Sequence, residues 1–361
     1  MVASKTTSTL TSFFLLSLLL PLLFVIGCKD QKDKEGPVDD KKGEQTSQNT
    51  ILPGDTSSAK EVSGEAKILT TLKFTPKKGD IFRYKLTQIS KVVQEGGVTA
   101  NSNSIQYFTQ KVTDVKKDGR IELSIRYDSI IVNNLTVSPK MRNEVTFDSR
   151  KKEDKVNPDY KQYNAIIGAE VTVLVKPNGE IEDIMGHKAV LEKALGNNKD
   201  SLTAQQREMF ENQLKNEIYL VPLQQEFQFY NDNGMIDSSQ SWFRENMIPI
   251  AGIFPAKSTL MYKIENVREV NGKRIATISS NISTDIAKKK LSQNSVEFVL
   301  KNSIITGVGK SMVDVEKGTT IYKSNTISMD LDVEAVNKEN KEQKQRMKQS
   351  INSQITIELI K

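Results

Sequence analysis

The chain has 361 residues, with 51 Lys and Arg against 45 Asp and Glu, a formal net charge of +6, and one Cys, one His and one Trp. A single Cys excludes an internal disulfide and a Cys-based zinc cluster, and a single His excludes a multi-His metal site. At 37% hydrophobic and 27% charged, the chain is polar but able to bury a core.

The first element in chain order is an export segment. Lys5 is the only charge before Cys28, and residues 13–26 form an apolar stretch broken by Ser17 and Pro21. A basic start, a short apolar run and a small residue at the cut mark a secretory signal. The run is shorter than the roughly 20 residues a spanning helix needs. Its end, Val25-Ile26-Gly27-Cys28, resembles the lipobox of secreted bacterial lipoproteins. That resemblance implies cleavage between Gly27 and Cys28, removal of residues 1–27, and a lipid anchor of the palmitate type on Cys28. The implied partner is a membrane, and the implied place is the cell envelope. The outer membrane is the expected site there, with the periplasmic or surface face left open. More than one acyl chain is needed for stable anchorage.

After Cys28, residues 29–67 have no aromatic residue and carry seven Lys against nine acids. Such a segment cannot bury enough surface to offset its ordering entropy. Residues 28–67 therefore read as a lipidated Cys on a disordered tether, spanning about 35 Å as a flexible chain.

Residues 68–361 read as one β-rich body. Residues 81–89, 121–127 and 275–279 alternate apolar and polar, the period-two pattern of half-buried strands. Gly96-Gly97, Asp118-Gly119, Asn178-Gly179, Asn271-Gly272 and Lys317-Gly318 supply turns between strands. Neighbouring strands joined this way are antiparallel. A faint repeat relates residues 111–125 to 263–278, each a strand, a Gly-bearing turn and a strand. It fits two related halves, 68–186 and 220–361, or simply two hairpins. Between them, residues 187–195 and 201–218 show helical spacing, and a helical insertion is expected over 187–219, ending before Pro222. The polar stretch 337–349 is expected to be a long hairpin loop or short helix before a last strand at 351–360. The fold class expected is mainly β, with antiparallel curved sheets or a half-open barrel; a two-sheet sandwich is the alternative. A transmembrane barrel lacks support, since no aromatic-girdled apolar band is visible.

Three stretches carry a further resemblance: residues 72–84 with Lys77-Lys78-Gly79-Asp80, residues 173–181 with Pro177-Asn178-Gly179, and residues 307–318 with Gly307-Val308-Gly309. Together they resemble a domain-of-unknown-function family of β-rich envelope lipoproteins from Bacteroidetes-like bacteria. The resemblance implies a β-rich envelope domain and supplies no reaction and no site residues.

The chain offers little visible chemistry. No Gly-x-Ser-x-Gly elbow accompanies His187, which reads as a surface or helix-entry residue. Asn231-Asp232-Asn233-Gly234 with Asp237 lacks the ligand alternation and terminal Glu of a calcium loop. Gly307-Val308-Gly309-Lys310 lacks the phosphate-cradling frame of a Walker loop. No catalytic residue, metal site or cofactor is assigned, and dispersed lysines do not indicate nucleic acid. The most apolar stretch outside the export segment, around Trp242, suggests a pocket beside the helices. Its candidate lining is Met209, Phe210, Trp242, Phe243, Ile253 and Phe254. The function expected is that of a lipid-anchored, non-catalytic envelope protein binding an apolar ligand or an envelope protein. An envelope hydrolase with an unrecognised carboxylate site is the alternative.

Overall fold

A computed structural model describes residues 60–61, 69–196, 202–227, 229–230, 235–237, 241–250, 253–293 and 295–360. The export segment, Gly27, Cys28, residues 29–59 and 62–67 of the expected tether, and residues 231–234 lie outside the described residues. Lys60–Glu61, expected to be part of a disordered tether, instead pairs with Glu269 and Arg268 as a short strand. The strands of the first half are β1 (Lys60–Glu61), β2 (Leu69–Thr71), β3 (Ile81–Gln94), β4 (Val98–Val115), β5 (Ile121–Ser138), β6 (Met141–Asp148), β7 (Glu170–Val175) and β8 (Ile181–Met185). Those of the second are β9 (Met235–Asp237), β10 (Ser241–Ile250), β11 (Phe254–Val270), β12 (Lys273–Asp285), β13 (Lys290–Gln293), β14 (Val296–Asp314), β15 (Thr319–Asn337) and β16 (Lys344–Ile360).

The expected fold class holds. A single large antiparallel sheet runs in the order β1-β11-β12-β14-β15-β16-β3-β4-β5-β7-β8, with its two ends unpaired to each other, so it is not closed into a barrel. Short turns join β3–β4–β5, β11–β12 and β14–β15–β16 as meanders, while helical turns over residues 152–166 separate β6 from β7, both of which pair with β5. The seam is β16 against β3, from Gln349 opposite Gln94 to Ile360 opposite Arg83. The last strand thus completes the sheet begun by the first long one. The repeated hairpins are β4–β5 and β11–β12. Their register shifts fall at matching places, between Val112 and Asp114 and between Ile264 and Asn266. In both, the residue before the bulge is fully buried, so the bulge keeps an apolar side chain inward while the strand twists toward its turn.

One face of the sheet is covered by the helical segment. Helix His187–Leu195 falls where its spacing predicts, with Gly196 as C-cap. Helix Ala204–Gln213 starts at a Thr203–Gln206 capping box. The second expected boundary is corrected. The chain does not stop before Pro222 but passes through a wider π-helical turn, Leu214–Leu220, into helix Val221–Phe227. Helical backbone runs on through Val221, which donates to the Asn216 carbonyl across the wide turn, and Pro222 itself has no N–H to pair. The carbonyl of Ile218, four residues before Pro222, instead accepts a hydrogen bond from the Tyr127 hydroxyl at 2.5 Å. Tyr127→Phe should therefore cost about 1–2 kcal/mol at every pH below 9, read as a shift of the urea midpoint with unchanged m value.

The stretch 337–349 is also corrected. A short turn ends by residue 343, and β16 starts at Lys344. Met347 and Gln349 are buried while Arg346 and Lys348 face out, which is strand alternation inside a charged segment.

Two cores result. The larger lies between the helical segment and the sheet, around Tyr84, Phe108, Tyr127, Tyr219, Phe227 and Tyr262. The smaller gathers Phe254, Phe298, Leu300, Leu331, Val333 and Met347. β12 and β14 pair only over Ile275–Ile282 and Gly307–Asp314. Beyond that pairing the arms part, and the smaller core fills the space between them.

Candidate functional site

Strand register builds the site in three successive rows on the helix-covered face. The first row crosses from Ile278 through Ser311, Lys323, Ile357 and Leu86 to Gln106. The second runs from Tyr262 through Ser280, Gly309, Asn325, Ile355 and Gln88 to Ser104. The third runs from Leu260 through Ile282, Gly307, Ile327, Ser353 and Ser90 to Ser102. Among the described residues, helix Val221–Phe227 ends over the first two rows, with Gln225 on Asn325, and most of the third row is half-buried.

Under the helix end sits a buried polar cluster. Glu226 is 1% and Lys323 2% exposed. Gln110 donates from Nε2 to Glu226 Oε2 at 2.6 Å, and the Thr320 hydroxyl donates to the Glu226 carbonyl at 3.1 Å. The other carboxylate oxygen of Glu226, the Tyr84 hydroxyl and Lys323 Nζ have no well-formed hydrogen bond. Nζ lies 5.8 Å from the centre of the Phe229 ring, within reach of a cation–π attraction. Burial pushes the Glu226 carboxyl up to about 7, against the pull of Gln110, Tyr84 and Lys323. Burial also pushes the Lys323 ammonium down to about 7, against the pull of Glu226. Ser311 faces Lys323 across the β14–β15 ladder, but Nζ holds no hydrogen bond, so no nucleophile–base contact is formed. The cluster is sealed from solvent, and what it does is tie the helix end to β4 and β15.

The tie extends along the chain. Asn325 donates from Nδ2 to Gln225 Oε1 at 2.6 Å. Trp242 donates from Nε1 to the Phe229 carbonyl at 2.8 Å, and Tyr230 donates to the Gly318 carbonyl. Residues 225–227 and 229–230 thus hold strands from both halves.

Next to this strap opens a cleft of about 130 Å³, lined among others by Asn246, Ser258, Leu260, Ile282, Asn325 and Ile327. Gly307 lines it, and Gly309 lies one row away on the same strand. A Cβ on Gly307 would meet Ile282 Cγ2 at 2.4 Å, and one on Gly309 would meet Ser280 Oγ at 2.4 Å. The missing side chains let Ile282, Ser280 and Asn325 lean across β14. From the cleft a half-buried apolar strip continues over Ile305, Met329 and Ile351, which stand opposite one another on β14, β15 and β16.

The structure does not gather the six expected pocket residues into one cavity. Phe210 and Trp242 belong to the larger core, and Ile253 and Phe254 to the smaller. Met209 is 53% and Phe243 60% exposed. The two exposed ones fail to join because alternation on β10 turns Phe243 away from Trp242, and Met209 sits on the outer side of its helix. His187 is a helix-entry residue but a buried one, with Nδ1 2.9 Å from the Ile184 carbonyl and Nε2 3.1 Å from Glu211. Asp237 pairs with Leu69 in the small β2–β9 sheet. Among the described residues no group of acids, His and Cys could hold a metal, and no helix is long and apolar enough to cross a membrane.

Sequence reasoning missed Glu226, Lys323, Ser258, Asn325 and Ile327. One trace of them was visible. Counting back from Ala335 by twos through Leu331 and Ile327 reaches Asn325 and Lys323, polar residues at inward positions.

A family profile described as a family of unknown function (DUF6263) matches residues 118–322. No curated protein matches the chain. Two solved structures show distant similarity. One, titled for lipid–protein interactions in lipovitellin, is 11% identical, covering 79% of this chain and 25% of that one, with a TM-score of 0.42. This chain thus spans about a quarter of the lipovitellin chain. The other is DynF from the dynemicin biosynthesis pathway of Micromonospora chersina, 6% identical, covering 84% of this chain and 90% of that one, with a TM-score of 0.16.

Proposed function

The chain belongs to the DUF6263 family of unknown function, and we propose that this protein is a non-catalytic, lipid-anchored envelope protein that binds an apolar ligand on the inward face of its sheet. One observation carries the reading. Among the described residues, the inward face beyond the helix is half-buried between two cores, as a small cleft continued by the strip Ile305, Met329 and Ile351. A surface that could have been closed by a further helix turn is half open, and concave apolar sites are where small ligands bind. The sealed Glu226–Lys323 cluster offers an external substrate no reachable acid or base.

Native mass spectrometry of the protein taken from its own envelope tests the binding. The expected spectrum contains an adduct of an apolar molecule, lost in Ile327→Trp, which fills the cleft. A clean apo mass in the natural protein overturns the reading.

The anchor rests on the Val25-Ile26-Gly27-Cys28 segment. Cys28→Ser should move the protein from the membrane to the soluble fraction, as seen by fractionation and immunoblotting. Unchanged membrane retention would remove the anchor from the proposal.

A further inference from the structure

The cleft differs chemically from the rest of the molecule. Charged residues make up 27% of the chain, yet none of the described residues lining the cleft is ionisable. Its polar groups are amides and hydroxyls. Ser258 is 2% exposed and its hydroxyl has no hydrogen-bond partner, so a buried donor waits at the cleft wall. An unmade hydrogen bond at such a depth is costly, and a ligand oxygen placed there would recover it. Asn325 adds an amide already held in place by Gln225. A charged group would find no counter-ion among the described lining residues, and its desolvation would go uncompensated there.

Size sets a second limit. A volume of about 130 Å³ has room for only about four water molecules. It therefore takes a small head group, and an attached chain would leave along the half-buried strip. Two strips of different chemistry start at the cleft's third row. Ile305, Met329 and Ile351 are apolar, whereas Ser353, Ser90 and Ser102 are hydroxylic. The first suits the methylenes of a chain and the second does not.

We propose that the ligand is an uncharged single-chain amphiphile, an ester or alcohol of a fatty chain, with its neutral polar head against Ser258 and Asn325 and its chain over Ile305, Met329 and Ile351. The inference rests on the binding reading above and names the ligand class of that same site.

Titration calorimetry on the full-length Cys28→Ser chain, purified without detergent, tests it. The probes are monolauroylglycerol, laurate and dodecyltrimethylammonium, which share a twelve-carbon chain scale and differ in charge. Monolauroylglycerol should bind at least tenfold tighter than either ion. Ser258→Ala should weaken it about fivefold without lowering the urea midpoint, since the hydroxyl holds no bond in the fold. Equal binding of all three, or tighter binding of an ion, overturns the head-group assignment and leaves the binding reading standing. Binding of none of them overturns both. The probe comparison on unmutated Ser258 decides the matter even if the alanine variant fails to fold.

Discussion

Lys323→Met should destabilise the protein by about 3–5 kcal/mol at pH 8.5 but by only about 1 kcal/mol at pH 5.5. The substitution leaves the Glu226 carboxyl buried without its cation. Even in the natural protein burial raises that carboxyl to about 7. A raised acid contributes stability that is fully present below its unfolded value near 4.5 and lost as pH rises through its folded value. Without Lys323 the folded value climbs further, so the penalty grows on the alkaline side and nearly vanishes when the acid is protonated. Glu226→Gln should show the opposite dependence. Lys323 is held down to about 7, and a lowered base contributes stability present above its unfolded value near 10.4 and lost as pH falls through its folded value. That variant should be weakest at pH 6 and recover toward pH 9. The double variant Glu226→Met with Lys323→Met removes both buried charges and should be neutral or more stable by about 1–4 kcal/mol. Urea midpoints of the variants at three pH values check the whole pattern. Parallel, pH-independent losses in both single variants would show that the two groups do not share an electrostatic environment.

The same pair shows which parts of the molecule were legible in the sequence. Period-two strands, the turn glycines and helix 187–195 were readable because each depends on a local rule: alternation, positive φ, or a cap. What was not readable depends on which strands meet. Glu226 and Lys323 lie about a hundred positions apart in the chain, and Gln110 is more distant still. Only the β16–β3 seam brings β4 and β15 under one helix end. The expected pocket failed for a related reason. Phe210, Trp242, Ile253 and Phe254 were all correctly apolar and inward, but hydrophobicity does not say which of two cores a residue joins. That choice is made where β12 and β14 part after Ile282.

The two turn glycines beside the strap give the second large effect. Tyr230 donates to the carbonyl of Gly318, and its ring packs on the turn that contains Gly179. At Gly318, φ is +66°, and a Cβ would meet the Lys73 carbonyl oxygen at 1.9 Å. At Gly179, φ is +76°, and a Cβ would meet the Phe227 carbonyl oxygen at 2.4 Å. Backbone atoms cannot step aside as a flexible side chain can. Gly272 is the matched control, with φ +74° and nothing within 4 Å. Gly272→Ala should cost only the left-handed backbone penalty, about 1–2 kcal/mol. Gly318→Ala and Gly179→Ala carry that penalty and must also displace either residues 73–74 or the strap, for a total of about 3–5 kcal/mol. If the strap is what yields, these two variants should additionally expose the larger core beside Phe227. Binding of an apolar dye at denaturant concentrations where Gly272→Ala binds none would report that exposure. Equal losses in all three variants would mean that the turns matter for their backbone angles alone, and that the strap does not bear on the sheet's end.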